Sequence, residues 1–295
     1  MFQNENLRGA AFMILSMAGF AVEDVFLKAA AQRMPMGQAA LIVGLVGMAV
    51  FALMARRQGE PAFHPALRSR GLAIRSGFEV GGRLFYALAI ALTPLSTTSA
   101  ILQATPLVVV GGAAVFFGER VGWRRWLAVG LGFLGVIIIL RPGFDGFSAL
   151  SLLAVLGMLG FAGRDLATRA APRVMSNRQL GVAGFAMLSL AGAIMLGWTG
   201  GAVWPDARGL GLLAGTAVFA VLGYHALTSA MRTGEIGFVT PFRYVRLVFA
   251  MALAMAVFGE RPDLATLVGS ALIVSSGIYA LIRGNRMGAA PARLP

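Results

Sequence analysis

The chain has 295 residues, of which 58% are hydrophobic and 13% are charged, whereas a soluble domain has roughly 45–50% apolar and about 25% charged residues. Its 25 lysines and arginines exceed its 12 acidic residues, and it has no cysteine. A soluble globular protein is excluded, because one core of this length cannot bury so much apolar surface. The high hydrophobicity excludes a disordered chain, and the lack of cysteine excludes a disulfide-stapled secreted domain. A polytopic membrane protein remains.

Ten apolar blocks follow one another along the chain. A bilayer core about 30 Å thick needs about 20 apolar residues per helix, so each block predicts a transmembrane helix. The blocks are roughly 9–32, 37–55, 71–92, 95–117, 123–141, 148–171, 180–198, 209–231, 236–258 and 264–283. They lack the alternation of barrel strands. The predicted fold is all-α.

The first block is interpreted as a retained helix and not as a signal peptide, because Glu23, Asp24 and Lys28 lie within it. With ten spans, both termini lie on the same side of the membrane. Connections on that side include the arginine-rich segment 56–70, whereas the opposite side holds few arginines. Because positively charged loops stay in the cytoplasm, we expect both termini to be cytoplasmic.

The chain contains an internal repeat with an offset of 141 residues. Gly19–Ala30 and Gly160–Ala171 are identical at six of twelve positions, and Phe117–Arg120 matches Phe258–Arg261 at the same offset. The repeat predicts two five-helix halves, 1–145 and 146–295. Because five is odd, the second half is expected to be inverted relative to the first, as in many secondary transporters.

Two five-helix halves with Gly-Glu-Arg after the fourth and ninth helices resemble the drug/metabolite transporter superfamily and its EamA-type repeat. The stretch Pro94–Arg120 is similar to the signature of the first repeat. Within the superfamily the chain most resembles the YddG-type amino-acid exporters. The resemblance implies secondary, not ATP-driven, export of aromatic and other neutral amino acids across the bacterial inner membrane, by alternating access through a central cavity.

Other functions stay open at this point. The second half lacks the proline of the first, because Leu247 matches Pro106 and Arg246 matches Thr105. Another metabolite, such as a nucleotide sugar or a drug-like molecule, remains an alternative substrate, and an integral-membrane enzyme is less favoured. Two histidines without metal-ligand spacing predict no metal, and we expect no cofactor, no catalytic residue and no nucleic-acid partner. The expected partners are a small-molecule substrate and the bilayer, for a monomer or a homodimer.

Charged residues within the apolar blocks need a partner, a water-filled cavity or a function. Asp24 and Lys28 are four residues apart, and Asp165 and Arg169 repeat this pair at the offset of 141. Each pair lies on one helical face. They are candidates for structural ion pairs or for gate pairs that break and form as the halves move.

The third block contains a second pair, Glu79 and Arg83, with Tyr86 within a turn of the arginine. The two charges can neutralise each other. Alternatively, they line a cavity in which Arg83 binds a substrate carboxylate bidentately.

The ninth block contains Arg243, Tyr244 and Arg246 shortly after Pro241, which is expected to break the helix. The two arginines share a face and have no acid within one turn. They are candidates for binding an anionic substrate group, or for ion pairs with acids on other helices, namely Glu23, Glu79 or Asp165.

Polar residues in the fourth and eighth blocks complete the candidate set. Gln103 precedes Pro106, a second predicted helix break, and either lines the cavity or satisfies the backbone that proline leaves unpaired. Tyr224 and His225 lie in the middle of the eighth block. Each is a candidate for the cavity wall or for a structural hydrogen bond.

Overall fold

The computed structural model describes residues 2–118, 122–141, 148–170, 174–233 and 236–288, and these residues form helices without any strand. The helices are α1 (Phe2–Ala31), α2 (Met36–Arg56), α3 (Arg70–Leu92), α4 (Leu95–Leu102), α5 (Thr105–Phe117), α6 (Trp123–Leu140), α7 (Ser151–Ala170), α8 (Asn177–Thr199), α9 (Ala207–Ala230), α10 (Ile236–Val239), α11 (Val245–Phe258) and α12 (Leu264–Gly288). Short 3₁₀ segments span Pro65–Arg68 and Thr240–Tyr244.

Eight helical segments within the described ranges are long and apolar enough to cross a membrane. The α4 and α5 helices count as one such segment, as does 240–258. Of the two other predicted spans, α6 has a shorter apolar stretch, Trp126–Leu140, and α3 carries Arg75, Glu79 and Arg83 in its interior. The chain is therefore a multi-pass membrane protein with eight spans supported by length and hydropathy.

Helix packing follows the internal repeat. The most extensive contacts join α1 with α9, α3 with α7, α2 with α8, and α6 with α12. The sequence offset of 141 residues relates α1 to α7 and α3 to α9, so the repeat converts the α1–α9 pair into the α3–α7 pair. The same offset maps the α2–α8 and α6–α12 pairs onto themselves. This is the pattern that a two-fold relation between the halves produces.

The repeated Phe-Gly motifs end two equivalent helices. Gly118 and Gly259 both adopt the left-handed conformation, with φ of +64°. Their N–H groups donate to Ala113 O and Ala254 O, closing the last turns of α5 and α11. Glycine adopts this conformation without the clash that a Cβ causes. Glu119 and Arg120, which follow the first motif, lie outside the described residues.

The α4–α5 and α10–α11 segments are both interrupted. The α4 helix ends at Leu102 and α5 begins at Thr105, whose hydroxyl donates to Leu102 O at 2.6 Å. Pro106 occupies the first turn of α5, and Pro241 lies in the 3₁₀ segment that precedes α11. Both prolines lack the N–H that a continuous helix would use.

Candidate functional site

A cavity of about 180 Å³ lies between the two halves of the chain. Helices α1, α3, α4 and α5 line it from the first half, and α7, α8, α9, α11 and the segment Thr240–Tyr244 line it from the second. Among the described residues, α2, α6 and α12 contribute nothing to the wall. The interface between the halves thus encloses the space that the repeat suggested.

One stripe of α1 forms part of the cavity wall. It consists of Phe20, Glu23, Asp24 and Leu27, which recur at spacings of three and four residues. This periodicity brings them to one face of the helix. Because the stripe carries two acids, α1 is the main source of negative charge in the cavity.

Asp24 joins three helices through a buried ion pair. Arg246 Nη2 lies 2.6 Å from Asp24 Oδ2, and the Tyr86 hydroxyl donates to the same oxygen at 3.0 Å. Arg246 also donates to Tyr86 Oη at 3.2 Å and lies over the rings of Phe20 and Tyr86. The ion pair connects α1 of the first half to α11 of the second, with α3 as the third partner.

These contacts correct two expectations about ion pairs. Asp24 does not pair with Lys28, four residues away, because Arg246 and Tyr86 occupy its carboxylate. Lys28 lies near the end of α1 and pairs with Glu260 at 3.4 Å. Arg246, in turn, pairs with none of the acids expected for it. Helical spacing brings side chains to one face, but partners on neighbouring helices decide which of them pair.

Glu79 lies behind the wall and holds three arginines. Its side chain is 1% exposed, with Arg75 Nη1 at 3.0 Å, Arg83 Nη2 at 3.3 Å and Arg164 Nη1 at 3.9 Å. Arg83 and Arg164 reach the cavity, whereas Glu79 itself does not line it. One buried carboxylate therefore fixes several cations, and this cluster carries net positive charge next to the cavity.

Glu23 and Arg243 line the cavity without a direct partner among the described residues. Among the described residues, neither side chain forms a hydrogen bond or an ion pair within 4 Å, although both line the same cavity. A charge in the membrane interior is costly unless it is paired or solvated. The cavity therefore offers one acid and one base to whatever enters it.

The two helix interruptions meet at the cavity. Gln103 Nε2, at the first interruption, donates to Arg243 O at 3.2 Å across the interface. Tyr244 is 4% exposed and lines the cavity, and its hydroxyl has no hydrogen-bond partner among the described residues. The 3₁₀ segment that interrupts the helix before α11 thus contributes Arg243 and Tyr244 to the cavity wall.

Tyr224 and His225 lie on different sides of α9. Tyr224 lines the cavity, packs against Phe51 and Phe185, and donates to Leu180 O at 3.0 Å. His225 is exposed and is absent from the wall. Adjacent residues of a helix point about 100° apart, and on α9 Tyr224 faces the cavity while His225 is exposed outside it. Of the two roles left open for His225, the place on the cavity wall is not the one seen in the structure.

The second predicted gate pair is described only in part. Asp165 lines the cavity and accepts from its neighbour Arg164 at 2.7 Å. The side chain of Arg169 lies outside the described residues. Arg164 was not singled out from the sequence, although it stands beside Asp165 and its guanidinium lies 5.0 Å from the ring centroid of Phe161. The sequence signal that could have identified Arg164 is its position next to Asp165, an acid that occurs in both copies of the repeat.

Comparison with known proteins decides the family. The model of the EamA-like transporter family matches residues 7–141 and again residues 148–282. The chain belongs to the EamA-like transporter family. The two EamA matches coincide with the two copies of the internal repeat, and they make the protein a membrane transporter.

Individual EamA-like relatives resemble the chain along most of its length. It is 26% identical to a riboflavin transporter of Rhizobium johnstonii, over 96% of this chain and 94% of the relative. It is 28% identical to the pseudopaline exporter CntI of Pseudomonas aeruginosa, over 90% and 93%. It is 25% identical to an S-adenosylmethionine uptake transporter of Rickettsia prowazekii, over 92% of each.

The fold is also shared with a protein of known crystal structure. That protein is 18% identical in sequence and superimposes with a TM-score of 0.64, covering 92% of this chain and 98% of its own. The relatives are named for transport and not for catalysis, and none of the three is named as an amino-acid exporter. The expected resemblance to the YddG type is therefore shown only at the level of the family.

Proposed function

We propose that this EamA-like transporter is a secondary carrier that works by alternating access. It has ten spans, with the inverted halves 1–145 and 146–295 rocking about the shared cavity. The exchange of the α1–α9 and α3–α7 pairs under the repeat offset supports this, because symmetric halves can open either side of one site. One chain encloses the whole cavity, so a monomer suffices.

The proposed substrate is an amino acid or a closely related zwitterion. The observation that carries this proposal is that Glu23 and Arg243 line one cavity and that neither side chain has a direct hydrogen bond or ion pair among the described residues. A substrate with an ammonium and a carboxylate group satisfies both residues, whereas a simple anion or cation satisfies only one. Arginine binds a carboxylate through two parallel hydrogen bonds, which assigns Arg243 to the carboxylate and Glu23 to the ammonium group.

Aromatic side chains in the same wall favour a neutral, apolar substrate side chain. Phe20, Tyr86 and Phe161 all line the cavity, and the rings of Tyr86 and Phe161 pack edge to face at 5.9 Å. Such rings gain most from apolar or aromatic ligands. Aromatic and other neutral amino acids therefore come first among the candidates.

Export from the cytoplasm of a bacterium, across its inner membrane, is the proposed direction. The direction follows from the likeness to amino-acid exporters, and the arginine-rich segments support only the cytoplasmic location of the termini. The relatives are named for different substrates and for both uptake and export. Their names therefore supply neither substrate nor direction, and the cavity must be tested directly.

The test is counterflow of labelled phenylalanine into proteoliposomes preloaded with unlabelled phenylalanine. Competing neutral amino acids should abolish the accumulation, whereas cationic dyes and inorganic anions should not. Vesicles without protein and vesicles with Arg243→Ala serve as controls. The variant is expected to lose accumulation while it inserts and purifies normally.

A phosphate-bearing metabolite is the second candidate. Arg83, Arg164 and Arg243 all reach the cavity, and arginine also binds phosphate bidentately. If correctly inserted protein shows no phenylalanine counterflow and a nucleotide sugar exchanges instead, the amino-acid proposal is wrong and the three arginines bind phosphate.

A further inference from the structure

Glu260 caps a helix that belongs to the other half of the chain. Its carboxylate accepts from Leu95 N at 2.8 Å, from Ser96 N at 3.0 Å and from the Ser96 hydroxyl at 2.8 Å. The preceding residue, Pro94, provides no side-chain cap for α4. The first N–H groups of a helix need an acceptor, and Glu260 of the loop after α11 supplies it.

Lys28 serves the opposite kind of helix end. Its ammonium donates to Thr93 O at 2.6 Å and to Ile90 O at 3.3 Å, at the carboxyl end of α3. The last turn of α3 has no basic residue of its own. Cations stabilise the carboxyl end of a helix and anions stabilise the amino end, so both charges have the favourable sign.

The two charges also pair with each other. Lys28 Nζ lies 3.4 Å from Glu260 Oε1, with side-chain exposures of 14% and 12%. Burial opposes ionisation of Glu260, but the hydrogen bonds from Ser96 and Leu95 outweigh it and hold the pKa of its carboxyl below the ordinary value. The carboxylate therefore stays ionised at neutral pH. This ion pair and its hydrogen bonds therefore connect the ends of α1, α3 and α4 to the loop after α11.

This ion pair lies directly beyond one end of the cavity. Leu27, Ala87 and Leu102 line the cavity on α1, α3 and α4. Lys28 follows Leu27, Ile90 lies one turn beyond Ala87, and α4 is buried along most of its length from Leu95. The contact sits at the end of α1 remote from the amino terminus and joins first-half helices to a second-half loop.

We infer that the contact of Lys28 with Glu260 and the helix ends is a latch, which closes the cavity at this face and must open for substrate exchange there. The inference goes beyond the proposed function, since it concerns the gate and holds for any substrate. Breaking the contact removes the carboxylate that ties the amino end of α4 to the loop after α11, so this end of α4 can move away from that loop.

The absence of cysteine allows a direct test with a single reporter. Ala87→Cys places a thiol on the cavity wall, and a membrane-impermeant maleimide is applied from the face of the latch. Glu260→Gln and Lys28→Met should each raise the labelling rate about tenfold, the change expected from losing a charge-assisted hydrogen bond. Unchanged labelling in both variants overturns the latch.

Asp263→Asn is the matched control. Asp263 lies just beyond Glu260, pairs with Arg141 and caps α12 through Thr266 N. Like Glu260→Gln, the Asp263→Asn variant loses one negative charge at a helix end on the same face. The helices that Asp263 connects, α6 and α12, do not line the cavity among the described residues. Its labelling should equal that of the parent protein. If the labelling rate rises equally in Asp263→Asn and Glu260→Gln, loss of either charge destabilises this face in general, and the inference is overturned.

The exchanged variant Lys28→Glu/Glu260→Lys separates a latch on helix ends from a simple ion pair. The exchange keeps the pair but presents each helix end with a charge of the wrong sign. We expect labelling as fast as in the single variants, measured on protein that elutes as one species. Slow labelling would show that the pair alone closes the face and would overturn the role of the helix ends. The readout needs no substrate, so its outcome is independent of the counterflow result.

Discussion

Arg246 connects the two halves at a single side chain. It pairs with Asp24, donates to Tyr86 and lies against two aromatic rings. In a membrane interior, removing one partner leaves the other charge uncompensated, which typically costs about 3–5 kcal/mol in buried pairs. The arginine is therefore expected to matter for stability as well as for transport.

Arg246→Ala should abolish counterflow and lower the apparent melting temperature in detergent. The double variant Asp24→Asn/Arg246→Gln should recover most of the lost stability, because it removes both charges and keeps polar groups in place. Thermal unfolding of the purified variants measures this. A double variant less stable than either single variant would contradict the assignment of Asp24 as the partner.

Arg243 and His225 predict opposite results. Arg243 lines the cavity without a direct partner among the described residues, whereas His225 is exposed and is absent from the cavity wall. Arg243→Lys keeps the charge but loses bidentate binding, so we expect counterflow at least tenfold slower. His225→Ala should leave the rate within about twofold, as is usual for an exposed side chain outside a site. A loss of transport in the histidine variant would return His225 to the site.

At the scale of elements, the α3–α7 pair depends on a close backbone approach. A Cβ built on Gly160 would lie 2.5 Å from Gly82 Cα and from Gly82 N, whereas one on Gly77 would meet nothing within 4 Å. Backbone atoms cannot yield as a flexible side chain does. Small residues let membrane helices approach in this way.

Gly160→Ala should therefore lower the melting temperature and slow transport, because α3 and α7 must separate. Gly77→Ala, on the same α3 helix, should leave stability unchanged or raise it slightly, since alanine favours helix by about 1 kcal/mol over glycine. Thermal unfolding in detergent compares the two. Equal destabilisation would mean that the α3–α7 approach is not the cause.

Helix positions could be predicted from the sequence much more fully than partners. Apolar length alone located the helices, and the repeat offset related α1 to α7 before any contact was known. The partner of Asp24 could not be found, because it lies 222 residues away on α11. Spacing along one helix defines a face, whereas the neighbour across that face depends on packing of the whole molecule.

The cavity shows the same limit. Charge and proline pointed correctly to the region of Arg243 and Pro241, but Glu23 was recognised only as a possible partner for an arginine. Its place in the stripe with Phe20 and Leu27 follows from helical periodicity. A test of that periodicity around each charged residue would have placed Glu23 among the wall residues.

At the scale of the whole molecule, the distribution of arginine predicts the orientation. The segment 56–70 lies on the side of the termini, and Glu60 of this segment pairs with Arg178 at the start of α8 at 2.6 Å. The opposite connections include the exposed residues 200–204. Because arginine-rich loops are retained in the cytoplasm, the latch of Lys28 and Glu260 should face the other compartment.

Reporter fusions test this orientation. Green fluorescent protein at the carboxyl terminus should fluoresce, and alkaline phosphatase at that position should stay inactive, since it folds only outside the cytoplasm. Phosphatase inserted after Gly201 should be active. The reverse pattern would contradict the arginine argument. It would place the latch on the cytoplasmic face, so that the impermeant maleimide would have to be applied to inverted vesicles to reach it.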